Sequence, residues 1–416
     1  MTTTVVSASS TAAGTALDIT NNNNYLILDT VDLISTGGVG IKFGAAVNGS
    51  TTTMNGFVYG DTIGIQMLSG GTNEKLFVNG DVQSAGVGMS LEAGGAYVTI
   101  GADATISGTT TGINITGGTV HLINNGTITN GNYSAGYGVQ VGVVNIVEIL
   151  NNGTIDGLQV QSHSMILNNY GRINTLGTSS TEDSTVNTIT NYGVIAGSVG
   201  LHKGDLVYNN GTIDATIQMD GNFIKNKGVI NGDLWESHGF DTITDTIVNR
   251  GTVTGDVILS NGFGSSLDSA KGHILGTITG GTAGDSVIAG SDDDTITGND
   301  GNDNLSGRAG DDSILGGSGK DTITGGKGDD VMGGGAATDT FVFSGHFGND
   351  IITDFAASGA NHDIMKFSHN DFADYADLQA HMTQVGADVL ISHGDDSVLV
   401  QNVTTASLVA GDFLFG

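Results

Sequence analysis

Along this chain, short runs of alternating apolar and small polar residues are separated by Gly and Asn. GTIDATIQM at 211–219, GVINGDLW at 228–235 and GTVTGDVIL at 251–259 are three such runs. Alternation at period two turns one face of a strand inward. Gly and Asn between the runs tolerate positive φ, so the chain can turn a corner there. The runs sit in a recurring Asn-x-Gly-x-apolar frame. Its copies are Asn124, Gly126, Ile128; Asn151, Gly153, Ile155; Asn169, Gly171, Ile173; Asn191, Gly193, Ile195; Asn209, Gly211, Ile213; Asn226, Gly228, Ile230; and Asn249, Gly251, Val253. Gly56 with Val58 and Gly80 with Val82 keep only the last two places. Successive frame glycines from Gly126 on lie roughly 17 to 27 residues apart, the length of one solenoid coil.

The pattern predicts an all-β fold, a right-handed parallel β-solenoid of about ten or eleven coils over residues 1–279. In coils stacked at about 4.8 Å, equivalent Asn amides can hydrogen-bond along the axis as a ladder. A one-residue slip would turn Ile128 and its equivalents out to water, so the fixed spacing specifies the register. A row of β-hairpins in a sandwich is the competing arrangement, and it gives no reason for so many copies of Asn-x-Gly. The motif resembles that of β-helices in bacterial adhesins and polysaccharide-acting proteins.

A tighter period follows. From Gly280 to Val342 the chain reads in nines as GGTAGDSVI, AGSDDDTIT, GNDGNDNLS, GRAGDDSIL, GGSGKDTIT, GGKGDDVMG and GGAATDTFV. The sixth place is always Asp: Asp285, Asp294, Asp303, Asp312, Asp321, Asp330, Asp339. Two places on stands an apolar residue: Val287, Ile296, Leu305, Ile314, Ile323, Met332, Phe341. This resembles the calcium-binding nonapeptide of the bacterial RTX proteins. The resemblance implies six residues of turn and three of strand, so that each repeat lies over the one two further on. Asp285 then pairs with Asp303, Asp294 with Asp312, Asp303 with Asp321, Asp312 with Asp330, and Asp321 with Asp339. Carboxylates about 5 Å apart repel by roughly 1 kcal/mol in water. Ca²⁺ between them reverses the sign and fills its shell with turn carbonyls. The two repeats that fit fully name Gly317, Gly319, Gly326 and Gly328 as glycines that aim those carbonyls. Ala283, Asp292 and Ala337 depart from the pattern at the fourth place, Asn299 and Arg308 at the second.

Composition narrows the partners. The formal net charge is −31 with 12 Lys plus Arg, which argues against nucleic acid and anionic membrane and for calcium. With no Cys there are no disulfides or thiolate metal sites, and with no Pro a common ladder breaker is absent. MTTTVVSASSTAAG has neither a basic nor an apolar signal-peptide region, so a Sec signal is not expected. No transmembrane segment is expected either: the densest apolar run, Val141 to Leu150, carries Asn145 and Glu148 and falls short of the roughly 20 residues of a span.

The tail from Asp339 to Ser368 resembles the segment after the repeats in the serralysin group, where Asp350, Asp354 and Asp363 would complete a further calcium site. A short helix over Phe372 to Met382, capped by Asn370 or Asp371 with Tyr375 and Leu378 on one face, and a hairpin around Gly394-Asp395 are predicted. SLVAGDFLFG at the end resembles the uncleaved signal of type I secreted proteins, and also suits an ordinary capping segment. The expected domains are the solenoid at 1–279, an RTX β-roll at 280–342 and a C-terminal cap with secretion signal at 343–416.

RTX repeats accompany many activities and name none. The chain holds no H-E-x-x-H and no G-x-S-x-G. The scattered His, including His202 and His238, read as loop residues. Lys203 with Asp205, and Lys225 with Lys227, are the only basic candidates for a lyase groove. Trp235, Tyr137, Tyr170, Tyr192 and Tyr208 are the aromatics available to stack on sugars. The expectation is a secreted, non-enzymatic structural protein at a Gram-negative surface. It would self-associate into a surface layer or biofilm matrix, or act as an adhesin towards polysaccharide or lipopolysaccharide. A lyase- or epimerase-type enzyme and a host-interaction protein of the small nodulation type are the alternatives.

Overall fold

The computed structural model describes residues 2–45, 47–68, 70, 72–92, 94–131, 136–142, 146–161, 164–179, 186–236, 244–259, 262–359 and 361–416. The chain forms two compact units, Met1–Ala215 and Thr216–Gly416. Both wind as right-handed parallel β-solenoids.

In the first unit each coil visits three faces in turn. One face runs from Thr3–Val6 to Leu206–Asn209, the next from Ser10–Ala12 to Thr212–Ile213, and the third from Leu17–Ile19 to Val199–Gly200. The recorded pairings are parallel. On the second face Val58, Val82, Ile106, Ile128, Ile155, Ile173, Ile195 and Ile213 stand in one register, each 0 % exposed. Each such burial contributes about 1.5–3 kcal/mol. Coils begin at Thr3, ahead of the first frame glycine. There alternation alone suffices, with Ile27, Leu33 and Ile41 inward.

The asparagine ladder is present. Asn124 Nδ2 donates to Asn151 Oδ1 at 2.8 Å, Asn151 to Asn169 at 2.7 Å, Asn169 to Asn191 at 2.8 Å, and Asn191 to Asn209 at 2.8 Å. Each of the five is 0 % exposed. Asn169 also donates to the Val194 carbonyl at 3.2 Å. Asn169→Ala therefore strands both a buried donor on Asn151 and a buried acceptor on Asn191. The expected loss is about 2–3 kcal/mol, read as a lower denaturant midpoint at an unchanged slope.

The second unit starts three-sided. Its second face ends at His273–Ile274. Beyond it two faces alternate: Ser286–Ile288, Asn304–Ala309, Thr322–Lys327 and Thr340–Phe343 on one, Thr295–Asp300, Ser313–Ser318 and Val331–Ala336 on the other. This is the two-sided β-roll the nine-residue period implies, with strands such as Thr295–Asp300 and Asn304–Ala309 running six residues rather than three.

The tail departs from expectation at the helix, which spans Tyr375–Ala380 with Asp374 as its cap, taking the Asp377 N–H at 3.0 Å. The longer helix over Phe372 to Met382 does not form. Phe372 is 1 % exposed and packs edge-on against Phe367 at 5.2 Å, and the Asn370 N–H goes to Ser368 Oγ at 3.1 Å. Met382–Val385 is instead a strand, antiparallel to Asp388–His393. The predicted hairpin follows, Asp388–His393 with Asp396–Val400, turning at Gly394 with φ 63°.

Candidate metal centre

The sixth-place aspartates come immediately before each roll strand, where the chain turns inward. They fall into two columns. In one, Asp285 N–H donates to Asp303 Oδ1 at 2.7 Å, Asp303 to Asp321 at 2.8 Å, Asp321 to Asp339 at 2.9 Å, and Asp339 to Asp363 at 2.9 Å. In the other, Asp294 donates to Asp312 at 2.8 Å, Asp312 to Asp330 at 2.8 Å, and Asp330 to Asp350 at 2.9 Å. All nine are 0–3 % exposed.

One carboxylate oxygen is thus used by the backbone, and the other is the chemically telling one. The Oδ2 atoms of Asp303, Asp312, Asp321, Asp330, Asp339 and Asp350 are buried without a hydrogen-bond partner. The end members differ: Asp285 Oδ2 takes the Gly281 N–H at 2.8 Å, Asp294 Oδ2 the Gly290 N–H at 3.1 Å, and Asp363 Oδ2 the Ala356 N–H at 2.8 Å. A Cβ on first-place Gly298 would collide with Asp303 Oδ2 and the Gly316 carbonyl, and one on Gly316 with Asp321 Oδ2 and the Gly334 carbonyl. A carboxylate oxygen and a carbonyl oxygen therefore converge where only hydrogen fits, a donor set suited to a hard cation. Among the described residues no three acidic or histidine side chains form a cage by themselves. Any ion here takes much of its shell from the backbone.

Burial is the main cause of raised carboxyl pKa values, with neighbouring carboxylates adding to it. Asp294, Asp303 and Asp330 are pushed up to about 6, Asp312 and Asp339 to about 7, and Asp350 to about 8. Burial also raises Asp285, Asp321 and Asp363.

Gly317, Gly319, Gly326 and Gly328 have φ between 118° and 132°, which side-chain-bearing residues resist. The pattern breakers Asn299, Arg308 and Ala337 still take φ of 72°, 80° and 92°. Asn299 offsets part of that strain by donating to the Gly280 carbonyl at 2.7 Å.

Asp350 and Asp363 of the tail fall in different columns. Asp350 extends the Asp330 column, whereas Asp363 extends the Asp339 column. Asp354 clamps the Gly334 and Gly335 N–H groups at 2.9 Å each. Asp205, read as a groove carboxylate beside Lys203, is 0 % exposed and accepts from Asn187 and His202 N–H groups, so it is unavailable to a substrate. His238 lies outside the described residues.

Two features escaped the sequence reading. Fifth-place residues form an outer ladder of opposite sense: Asp311 N–H donates to Asp293, Asp329 to Asp311, and Asn349 to Asp329, each at 2.8 Å, while Lys320 donates to Asn302 at 2.7 Å. The recurrence of Asp or Asn before the sixth-place Asp was its signal. On the outer face of the first unit, Tyr97 stacks on His121 at 4.5 Å, and His121 Nδ1 meets Glu148 Oε2 at 2.8 Å. They line a slot of about 320 Å³ with Ile123, Leu150, Ile166 and Asn168. Unequal coil lengths hid that meeting.

Two carboxylate columns in a flattened coil define a calcium-binding β-roll on a parallel β-solenoid. The family profile of the RTX calcium-binding nonapeptide repeat matches residues 279–314 and 306–341. The chain thus carries an RTX repeat and binds calcium. No curated protein matches it. Among solved structures it is similar to the extracellular lipase LipA from Serratia marcescens, at 16 % identity and a TM-score of 0.28, over 65 % of this chain and 45 % of that one. The chain therefore spans less than half of the lipase's length, and the lipase's activity is not carried across.

Proposed function

We propose that this is a secreted, calcium-folded structural protein of a Gram-negative surface, exported by a type I system. It self-assembles into a surface layer or biofilm matrix, or acts as an adhesin. The observation that carries this reading is the run of six partnerless Oδ2 atoms in the two columns. Their order depends on a cation at the roughly 10⁻⁴–10⁻³ M affinity of extracellular calcium modules. In this reading ions bridge successive members of Asp285, Asp303, Asp321, Asp339 and of Asp294, Asp312, Asp330, Asp350, with carbonyls aimed by Gly317, Gly319, Gly326 and Gly328, and Asp354 closing the last turn. Residues 1–279 then present the outer surface. Electron microscopy of purified protein with calcium is expected to show sheets or filaments that disperse with chelator. Monodisperse particles at high protein and calcium would refute assembly.

The adhesin form has its own support in the slot of Tyr97, His121 and Glu148. A ring face, apolar walls and a carboxylate acceptor suit a sugar of a surface polysaccharide. Binding to such glycans that Tyr97→Ala leaves unchanged would remove this second reading.

A further inference from the structure

Glu74, in the unit Met1–Ala215, is the last residue before the strand Lys75–Val78. It is 2 % exposed, and neither carboxylate oxygen has a hydrogen-bond partner. The pairing of Lys75 with Thr51 and Leu76 with Thr52 sets Glu74 beside Ser50 and diagonal to Thr52. The Lys75 N–H closes that step on the Ser50 carbonyl at 2.9 Å. Ser50 and Thr52 are 1 % and 0 % exposed, and their hydroxyl oxygens are equally without partners.

Asp205 shows what this fold does with a structural carboxylate. It too is the last residue before a strand, Leu206–Asn209, and is 0 % exposed. Asp205 receives the N–H groups of Asn187 and His202, the Asn187 amide and the Thr178 hydroxyl. Glu74 receives none. An ionised, unpaired carboxylate at such burial costs several kcal/mol. A proton removes the charge yet leaves the other carboxyl oxygen without a donor. Burial pushes the Glu74 carboxyl up to about 7, so above that pH much of the charge persists. A hard cation satisfies the carboxylate and both hydroxyl oxygens together, since oxygens are its preferred ligands and it needs no donated hydrogen.

We propose that Glu74, Ser50 and Thr52 form a calcium site in the first unit, separate from the nonapeptide columns. Tyr25 provides a local reporter: it pairs in register with Thr52 and is 8 % exposed, so its ring can sensitise a lanthanide held there. The experiment measures calcium bound per full-length chain by equilibrium dialysis at pH 7.5, and tyrosine-sensitised terbium emission in parallel. Glu74→Gln is expected to bind one calcium fewer, and to lose the same component of terbium emission that Tyr25→Phe loses. Should Glu74→Gln fold poorly, Ser50→Ala with Thr52→Val removes the hydroxyl ligands at similar volume, and is expected to weaken that component at least tenfold. A folded Glu74→Gln with unchanged stoichiometry and emission would overturn the site and leave water as the occupant.

Discussion

Stripping calcium at pH 7.5 is expected to unfold the nonapeptide coils, and acidifying the stripped protein to pH 5 is expected to restore much of their order. The columns set the sign. Without metal, Asp303 sits at about 6, Asp312 and Asp339 at about 7 and Asp350 at about 8, all raised above the 3.8 of an exposed carboxyl. Between pH 4 and 8 the folded state therefore holds more protons than the unfolded one. Metal-free stability is fully present below about pH 4 and drains away as pH rises through the folded values. Calcium inverts the dependence, because protons compete for the same oxygens, so its apparent affinity falls as pH drops from 8 to 6. Hydrogen exchange over residues 286–343, with and without chelator at both pH values, reads this directly. Equal protection of stripped protein at pH 5 and 7.5 would contradict it.

Asp321→Ala is expected to lower calcium-dependent stability more than Asp285→Ala. Asp321 lies between Asp303 and Asp339, so two bridging positions lose a ligand. Asp285 is a column end whose Oδ2 is already held by the Gly281 N–H. At a few millimolar calcium each site is worth about 1 kcal/mol. The expected deficit is about 2 kcal/mol for Asp321→Ala and at most about half that for Asp285→Ala. Asp321→Ala also strands the buried N–H of Asp303, and Asp285→Ala those of Ser265 and Gly281. The readout is therefore the difference between melts in calcium and in chelator. Equal differences would dismiss the shared-bridge arrangement.

The columns were legible because an unbroken nine-residue period fixes both spacing and face. The asparagine ladder was legible for the same reason, since a frame of Asn, Gly and an apolar residue at constant offsets survives changes in loop length. Where chemistry depends on residues one variable coil apart, no spacing in the chain announces it. His121 meets Glu148 across 27 residues and Glu74 stands beside Ser50 across 24, distances set only once the coils close. The helix start is ambiguous in the sequence because Asn370, Asp371 and Asp374 all qualify as caps. Packing of Phe372 against Phe367 decided among them. Met382–Val385 shows no buried face to announce a strand.

The two opposed ladders have a further consequence for how a repetitive coil finds its place. Every inner rung offers the same aspartate, so a coil displaced by 18 residues would recreate the inner contacts of Asp303 with Asp321 and still turn an apolar residue inward. Such a slip is degenerate in ion binding. The outer ladder removes the degeneracy. Asp293, Asp311 and Asp329 pass an acceptor from rung to rung, but Lys320 receives one from Asn302 and has none to hand on. A coil slipped so that Lys320 takes the place of Asn302 sets its own N–H over Gly284, which has no side chain to accept it. Irregular residues in the nonapeptides, which look like decay of the motif, thus act as addresses that tell one coil from the next.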